Sequence, residues 1–425
     1  MTVELHRAPV VLPVGAPPIA DGAVAVRAGR ILAVAGHDEL ARAFADETSL
    51  TRHEWRGALL PGLVNAHTHL QYTDMAAVGQ AAHSGFETWM QAFMELYEGE
   101  HDWLDSAAAG ALLSLRGGVS AVAEIVTDPD AGSAVHRAGL HGVVYWEVLG
   151  WTDAAWAAGD GRARVVEQLR ALPSPPETGL SPHAIYSLDT GVLRELADLA
   201  AELGVRQHIH AAESAWEDAY VRTGTGDLAD RWRRNGRGDF ALLQHGGSGR
   251  SVISYLDDLG ALSPATHLAH GIYVDAEDRR ILRDRGVAVA LCPRSNAVIG
   301  LDPPPVAAYL REGNPIAVGT DSLSSSPSLS LWEDVAELHR LARAQGYGEP
   351  DLHARLLTAA TVGGARALGL DDAGVLAPGT RADLAVFQTA STDPAAALAE
   401  LVETGPTVAA ATIVAGRIRW QDADA

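Results

Sequence analysis

"LVNAHTHLQY" (residues 63–72) follows Pro61-Gly62 and ends an apolar run with two histidines two positions apart, His67 and His69. Side chains alternate faces along a strand, so i and i+2 point the same way. Two imidazoles at the end of a buried strand would converge on one point. The spacing alone leaves three readings open: chance, a hydrogen-bonded core pair, or two metal ligands.

Working outward, the chain repeats the same kind of unit. Eight strands are expected at 58–70, 118–126, 142–149, 178–187, 205–214, 266–274, 287–296 and 315–322. Helical patterns lie between several of them, such as "TGVLRELADLAAELG" (190–204), whose apolar residues recur at three and four. Strands buried on both faces and alternating with helices predict an α/β (β/α)8 TIM-like barrel. Both ends of the chain are strand-rich, as in "GAVAVRAGRILAVAG" (22–36), "GVLAPGTRADLAVFQ" (374–388) and "ATIVAGRIRW" (411–420). The expected organisation is a small β-sandwich from residues 1–57 and 369–425 around a barrel of 58–368.

Composition narrows the function. The chain has 425 residues, 47% hydrophobic and 20% charged, with a net charge of −22. So acidic a surface argues against nucleic acid and anionic membranes as partners and reads most simply as solubility. The opening "MTVELHRAPVVLPVG" lacks a basic segment followed by an apolar core, and one cysteine, Cys292, forms no intrachain disulfide. A cytoplasmic location is expected. All 32 basic residues are arginine. Without lysine there is no Schiff-base chemistry, no P-loop and no carbamylated-lysine bridge between two metals.

Active sites of such barrels lie at the C-terminal strand ends. The expected strands end in His67 and His69, His183, His208 with His210 and Glu213, His267 with His270, and Asp321. Packing alone gives no reason for this gathering. Neutral imidazoles with one carboxylate suit a divalent transition metal, so His67, His69, His210 and Asp321 are the expected ligands of one ion. Zn2+ leads, with Fe2+ and Mn2+ as alternatives. Such an ion lowers the pKa of its water to about 7. His208 and His267 are read as core residues, and His83, His101 and His141 as ordinary ones.

These residues resemble the amidohydrolase superfamily. "PGLVNAHTHL" (61–70), "HAAE" (210–213), "LAHGIYVD" (268–275), "GTDS" (319–322) and "TAATVGGARALGLDDAGVLAPGTRADLAVF" (358–387) come in that family's order. Within it the chain is similar to the mononuclear branch of cytosine deaminase, the triazine hydrolases and the adenosine-analogue deaminases. The resemblance implies that Glu213 shuttles protons, His270 orients or polarises the nucleophile, and Asp321 both binds metal and accepts a proton. It also implies that His183 contacts substrate. Members often pair, so a homodimer is expected.

The substrate rests on finer likenesses: "FETW" (86–89), "CPRSN" (292–296) and "GTDSLSSSPSLSLWEDV" (319–335). They are similar to deaminases of 6-amino-6-deoxyfutalosine, an adenine nucleoside with a carboxylated aryl ketone on the route to menaquinone. The resemblance implies a role for Trp89 and, nine residues on, Glu98 at the ribose, with Glu95 and Glu87 as competitors. Arg294, at the end of the seventh strand, is expected to pair with the substrate carboxylate or else to form a structural salt bridge. "LQYTDM" (70–75) departs from the "LE" of those deaminases, which bears on Gln71. The alternatives are methylthioadenosine or S-adenosylhomocysteine, guanine, an 8-oxopurine, a pterin or a triazine. The remote alternative is a non-catalytic assembly protein on the same scaffold.

Overall fold

The computed structural model describes residues 2–423. Eight parallel strands stand side by side in chain order: β1 (Leu63–Thr68), β2 (Val119–Val126), β3 (His141–Val148), β4 (Glu177–Pro182), β5 (Gln207–Ala211), β6 (Thr266–His270), β7 (Ala288–Leu291) and β8 (Ile316–Val318). Helices such as Trp103–Arg116, Pro129–Ala138, Thr190–Leu203 and Ala276–Arg285 connect them. The third of these starts where sequence placed it. The Asp189 side chain caps Thr190 N, and Gly204 ends the helix at φ 66°. Its Val192, Leu193, Leu196 and Ala200 are buried.

The seam between first and last strand is closed mainly by one side chain. Asn65 Nδ2 donates to Thr320 Oγ1 at 2.8 Å, its Oδ1 accepts from Thr320 N at 3.2 Å, and Asp321 N donates to His67 O at 3.0 Å. These bonds set the end of β8 beside the two histidines of β1. Below them small side chains fill the barrel, among them Ala66, Ala121, Ala123, Ala288, Ala290 and Ala317, with Tyr145 as the bulky member.

The expected first strand is in fact two. Ala58–Pro61 pairs with Leu384–Phe387 in the sheet of the termini, and only β1 enters the barrel. Gly62 separates them, where a Cβ would stand 2.3 Å from Ser120 Oγ. The seventh strand is shorter than expected, because Pro293 starts the helix Pro293–Ile299, taking Arg294, Ser295 and Asn296 with it.

Both termini do build one β unit, and hydrogen bonding runs through it as one mixed sheet. Its order is Arg417–Gln421, Ala411–Val414, Leu384–Phe387, Ala58–Pro61, Val3–Val11, Ile19–Arg27, Arg30–Gly36, with Leu50–Glu54 also paired to Val3–Val11. Two separate apolar layers cover it, one around Leu59, Leu384 and Ile413, the other around Leu5, Ala25 and Leu40. Two of its hairpins turn on Ala28-Gly29 (φ 52° and 75°) and Ala415-Gly416 (φ 49° and 72°). The turns touch: a Cβ on Gly29 would lie 2.9 Å from Ala415 O.

Candidate metal centre

The histidines of β1 and β5 and the turn after β8 meet at the C-terminal mouth. His69 Nε2 lies 3.3 Å from His210 Nε2. Asp321 Oδ1 lies 3.5 Å from His67 Nε2 and 3.9 Å from His69 Nε2. Tetrahedral ligands at 2.0–2.1 Å from an ion stand about 3.3 Å apart. The ligand atoms of His67, His69 and Asp321 fall within 4.8 Å of one another, as do those of His67, His210 and His270.

The donor chemistry fits an ion. His210 Nδ1 donates to His183 O at 3.1 Å, which leaves a bare lone pair on Nε2 facing His69. Both nitrogens of His67 are buried without a hydrogen-bond partner. Burial holds His67, His69 and His210 below the ordinary histidine value, His69 at about 3, so all three are neutral and free to ligate. Asp321 resists burial because His67 and His69 favour its charge, and its carboxyl lies well below the ordinary aspartate value. Ser295 Oγ donates to its Oδ2 at 2.7 Å and Ser322 N to its Oδ1 at 2.8 Å.

Three non-glycine residues at these strand ends hold positive φ: Ala212 (53°), His270 (73°) and Asp321 (58°). That conformation costs on the order of 1–2 kcal/mol per residue. Such strain gathers where side chains must be aimed. Glu213 follows Ala212, and its Oε1 lies 3.5 Å from His270 Nε2. His270 Nδ1 meets Asn296 Oδ1 at 3.2 Å, so the proton sits on Nδ1 and Nε2 is a base. Burial raises Glu213 to about 7, and its backbone N–H is held by Glu217 at 2.8 Å.

His183 follows β4 with its Nδ1 2.9 Å from Ser187 Oγ and its ring 4.9 Å from that of His210. Around the mouth stand rings from three loops. Tyr72 stacks on His69 at 5.5 Å, Tyr186 meets His183 at 5.7 Å, and Phe86 touches both Tyr186 (6.2 Å) and Trp216 (6.1 Å). Trp89, in the helix Phe86–Tyr97, donates to Ser324 O at 2.9 Å and so fastens that helix across to the loop after β8.

Two substrate residues expected from sequence are placed elsewhere. Glu98 caps the far end of that helix with its side chain exposed, as are Glu95 and Glu87. Arg294 is turned into an ion-pair network, because Pro293 starts a helix there. Its Nη1 lies 3.1 Å from Glu333 and 3.5 Å from Asp334, and donates to Ser328 Oγ at 3.0 Å. A substrate carboxylate would compete there with two acidic side chains, so the structural salt bridge is the reading the geometry supports. Gln71 is likewise engaged, with both ends of its amide bonded to Thr127.

Sequence reasoning missed Glu147, Asn65, Ser295 and Asn296. Glu147 lies in β3, 3.8 Å from His210 Nδ1, and burial with Asp321 nearby pushes it up to about 8. A carboxylate inside an apolar strand was the available signal. His208 and His267 are core residues as expected: His208 stacks on His67 at 4.8 Å, and His267 Nε2 bonds Ala66 O at 3.0 Å.

A barrel with a mixed imidazole–carboxylate cluster at its C-terminal mouth defines a hydrolase built around a metal site. Residues 58–419 match the amidohydrolase family, and the chain belongs to it. It is 30% identical over 377 residues to the 5-methylthioadenosine/S-adenosylhomocysteine deaminase of Nitratidesulfovibrio vulgaris, covering 86% of this chain and 78% of that one. It is 33% identical over 357 residues to the aminodeoxyfutalosine deaminase of Deinococcus radiodurans, covering 80% of each. Its fold superposes on an adenosine deaminase from Xanthomonas campestris with bound zinc at a TM-score of 0.81. The two are 27% identical, over 98% of this chain and 93% of the other. No helix among the described residues is long and apolar enough to cross a membrane.

Proposed function

We propose that this chain is a metal-dependent deaminase of a 5′-modified adenosine, with 6-amino-6-deoxyfutalosine as first substrate. The observation that carries deamination is Glu213, buried beside the metal cluster and facing His270. His67, His69, His210 and Asp321 would hold a divalent ion (Zn2+ first), which would act as a Lewis acid and lower the pKa of the attacking water to about 7.

The chain's own groups then divide the proton work. Glu213, with its raised pKa, takes one proton from the attacking water and delivers it to the ring nitrogen next to the amino-bearing carbon; the water's second proton, passed on from Asp321, leaves with the ammonia. His270 presents Nε2 toward the attacking water, fixed in that tautomer by Asn296. Asp321 accepts the water's remaining proton on a carboxylate steadied by Ser295 and Ser322. His183, oriented by Ser187, faces the substrate beside His210. The rings of Tyr72, Phe86 and Tyr186 exclude water and offer flat apolar surface to a purine.

Two relatives of comparable identity carry different names, and the second reading is methylthioadenosine or S-adenosylhomocysteine; the engagement of Arg294 favours methylthioadenosine, which has no carboxylate. The test is ammonia release from the metal-loaded enzyme against aminodeoxyfutalosine, methylthioadenosine, S-adenosylhomocysteine, adenosine, guanine and cytosine. A clear lead in kcat/KM for aminodeoxyfutalosine supports the first reading. A lead for the sulfur nucleosides supports the second, and a lead for a free base removes both.

A further inference from the structure

A second set of metal-binding side chains stands away from the barrel mouth. His339 lies on the helix Leu331–Ala344, His353 on Leu352–Thr358 and Glu403 on Pro394–Thr404. One ligand atom from each falls within 4.8 Å of the other two. The imidazoles stack at 5.0 Å with 19° between planes, and His353 Nε2 meets Glu403 Oε1 at 2.8 Å. From this juxtaposition we propose that His339, His353 and Glu403 bind a second divalent ion of the zinc, nickel or copper kind, tying three helices together.

The chemistry agrees on each ligand. The side chain of His339 makes no hydrogen bond among the described residues, so its ring nitrogens are free to ligate. Among the described residues the only ion-pair partner of Glu403 is His353. His339 and Glu403 also line a cleft of about 630 Å³, which leaves room for water to complete the coordination. Nearby cations are already engaged: Arg340 with Glu337, Arg294 with Glu333, and Arg343 with the carbonyls of Tyr347 and Glu349.

A rival trio, Glu4, His6 and His53, is less suited although its ligand atoms are as close. Trp55 Nε1 donates to His6 Nδ1 at 3.2 Å and so pins the proton of neutral His6 on Nε2, whereas among the described residues nothing bonds Nδ1 of His353, which can take up the proton that an ion would displace from Nε2.

The experiment uses the full chain with its catalytic centre already loaded with zinc, equilibrated by dialysis against buffered micromolar free Zn2+. Zinc per chain is then measured by atomic emission. Wild type is expected to hold one further equivalent, and His339→Asn/His353→Gln only the catalytic one, with ammonia release unchanged. Zinc should raise the Tm of wild type further than that of the double variant. Glu403→Gln, on an exposed side chain, provides a variant that keeps the fold and should bind the second ion about tenfold more weakly. The proposal fails if wild type stops at the catalytic equivalent, if the double variant keeps the further one, or if His53→Gln removes it. Loss of the catalytic ion would show in ammonia release, so failure there is read separately.

Discussion

Replacing Glu213 by glutamine keeps the volume of the side chain and removes its ability to exchange a proton. The backbone bond from Glu213 N to Glu217 and the packing of His270 do not depend on the charge. Fold and metal content are therefore expected to stay as in wild type. Burial lifts Glu213 from 4.5 to about 7. That shift is worth roughly 3 kcal/mol between its two protonation states. It is the amount by which the pocket favours a carboxyl that can hold a proton at neutral pH. Losing a positioned acid–base group typically costs 10²–10⁴-fold, or roughly 3–5 kcal/mol of barrier. The variant should then lose at least about a hundredfold in kcat, with KM changed little. A limb of the wild-type pH profile should disappear with it. In the loaded enzyme that limb should lie between the ordinary glutamate value and about 7, because a divalent cation beside the group pulls its pKa back down. The assay is ammonia release across pH with metal content measured on the same samples. Turnover within threefold of wild type, at equal metal content, would refute the role given to Glu213.

His210→Ala should lose both metal and activity, since its Nε2 faces His69 across the cluster; unchanged metal by atomic emission would overturn the ligand set. Asn65→Ala removes both side-chain bonds of the barrel seam. It should cost about 1–3 kcal/mol in urea unfolding and lower kcat by displacing Asp321; unchanged stability and kcat would show that the seam holds without it. Arg294→Ala should leave Asp334 buried without its cation, costing on the order of 3–5 kcal/mol of stability above about pH 7, where that carboxyl is ionised, and less below it. It should change kcat/KM for aminodeoxyfutalosine and for adenosine by similar factors, and a selective loss on aminodeoxyfutalosine would restore Arg294 as a substrate residue. Burial raises Asp334 from 3.8 to about 7 against the pull of Arg294. The folded state thus holds a proton that the unfolded state has released between those values. This group's contribution falls as pH rises from about 4 to 7, by roughly 4 kcal/mol at most. Asp334→Asn should flatten that part of the Tm–pH curve, and an unchanged slope would mean the group is ionised throughout.

Several decisive features were legible in the chain itself. The alternation of apolar runs with helical periods specified the barrel, because strand burial and helix amphipathicity leave local patterns. His67, His69, His210, Glu213, His270 and Asp321 stood out because each falls at the end of such a run, and a barrel collects those ends on one face. The absence of lysine was equally local information. What sequence could not supply is direction and partnership. Arg294 looked like a rim cation, yet Pro293 starts a helix that turns it toward Glu333 and Asp334, residues some forty positions away. Glu98 has the right spacing from Trp89, but the helix they share carries it to an exposed end. Asn65 closes the seam with Thr320, 255 residues on, and Asn296 sets the tautomer of His270. Only the closed barrel determines such bonds, because it brings the first and last strands together. The three positive φ angles at Ala212, His270 and Asp321 belong to the same class, since no local preference asks for them and only the packed mouth holds them in place.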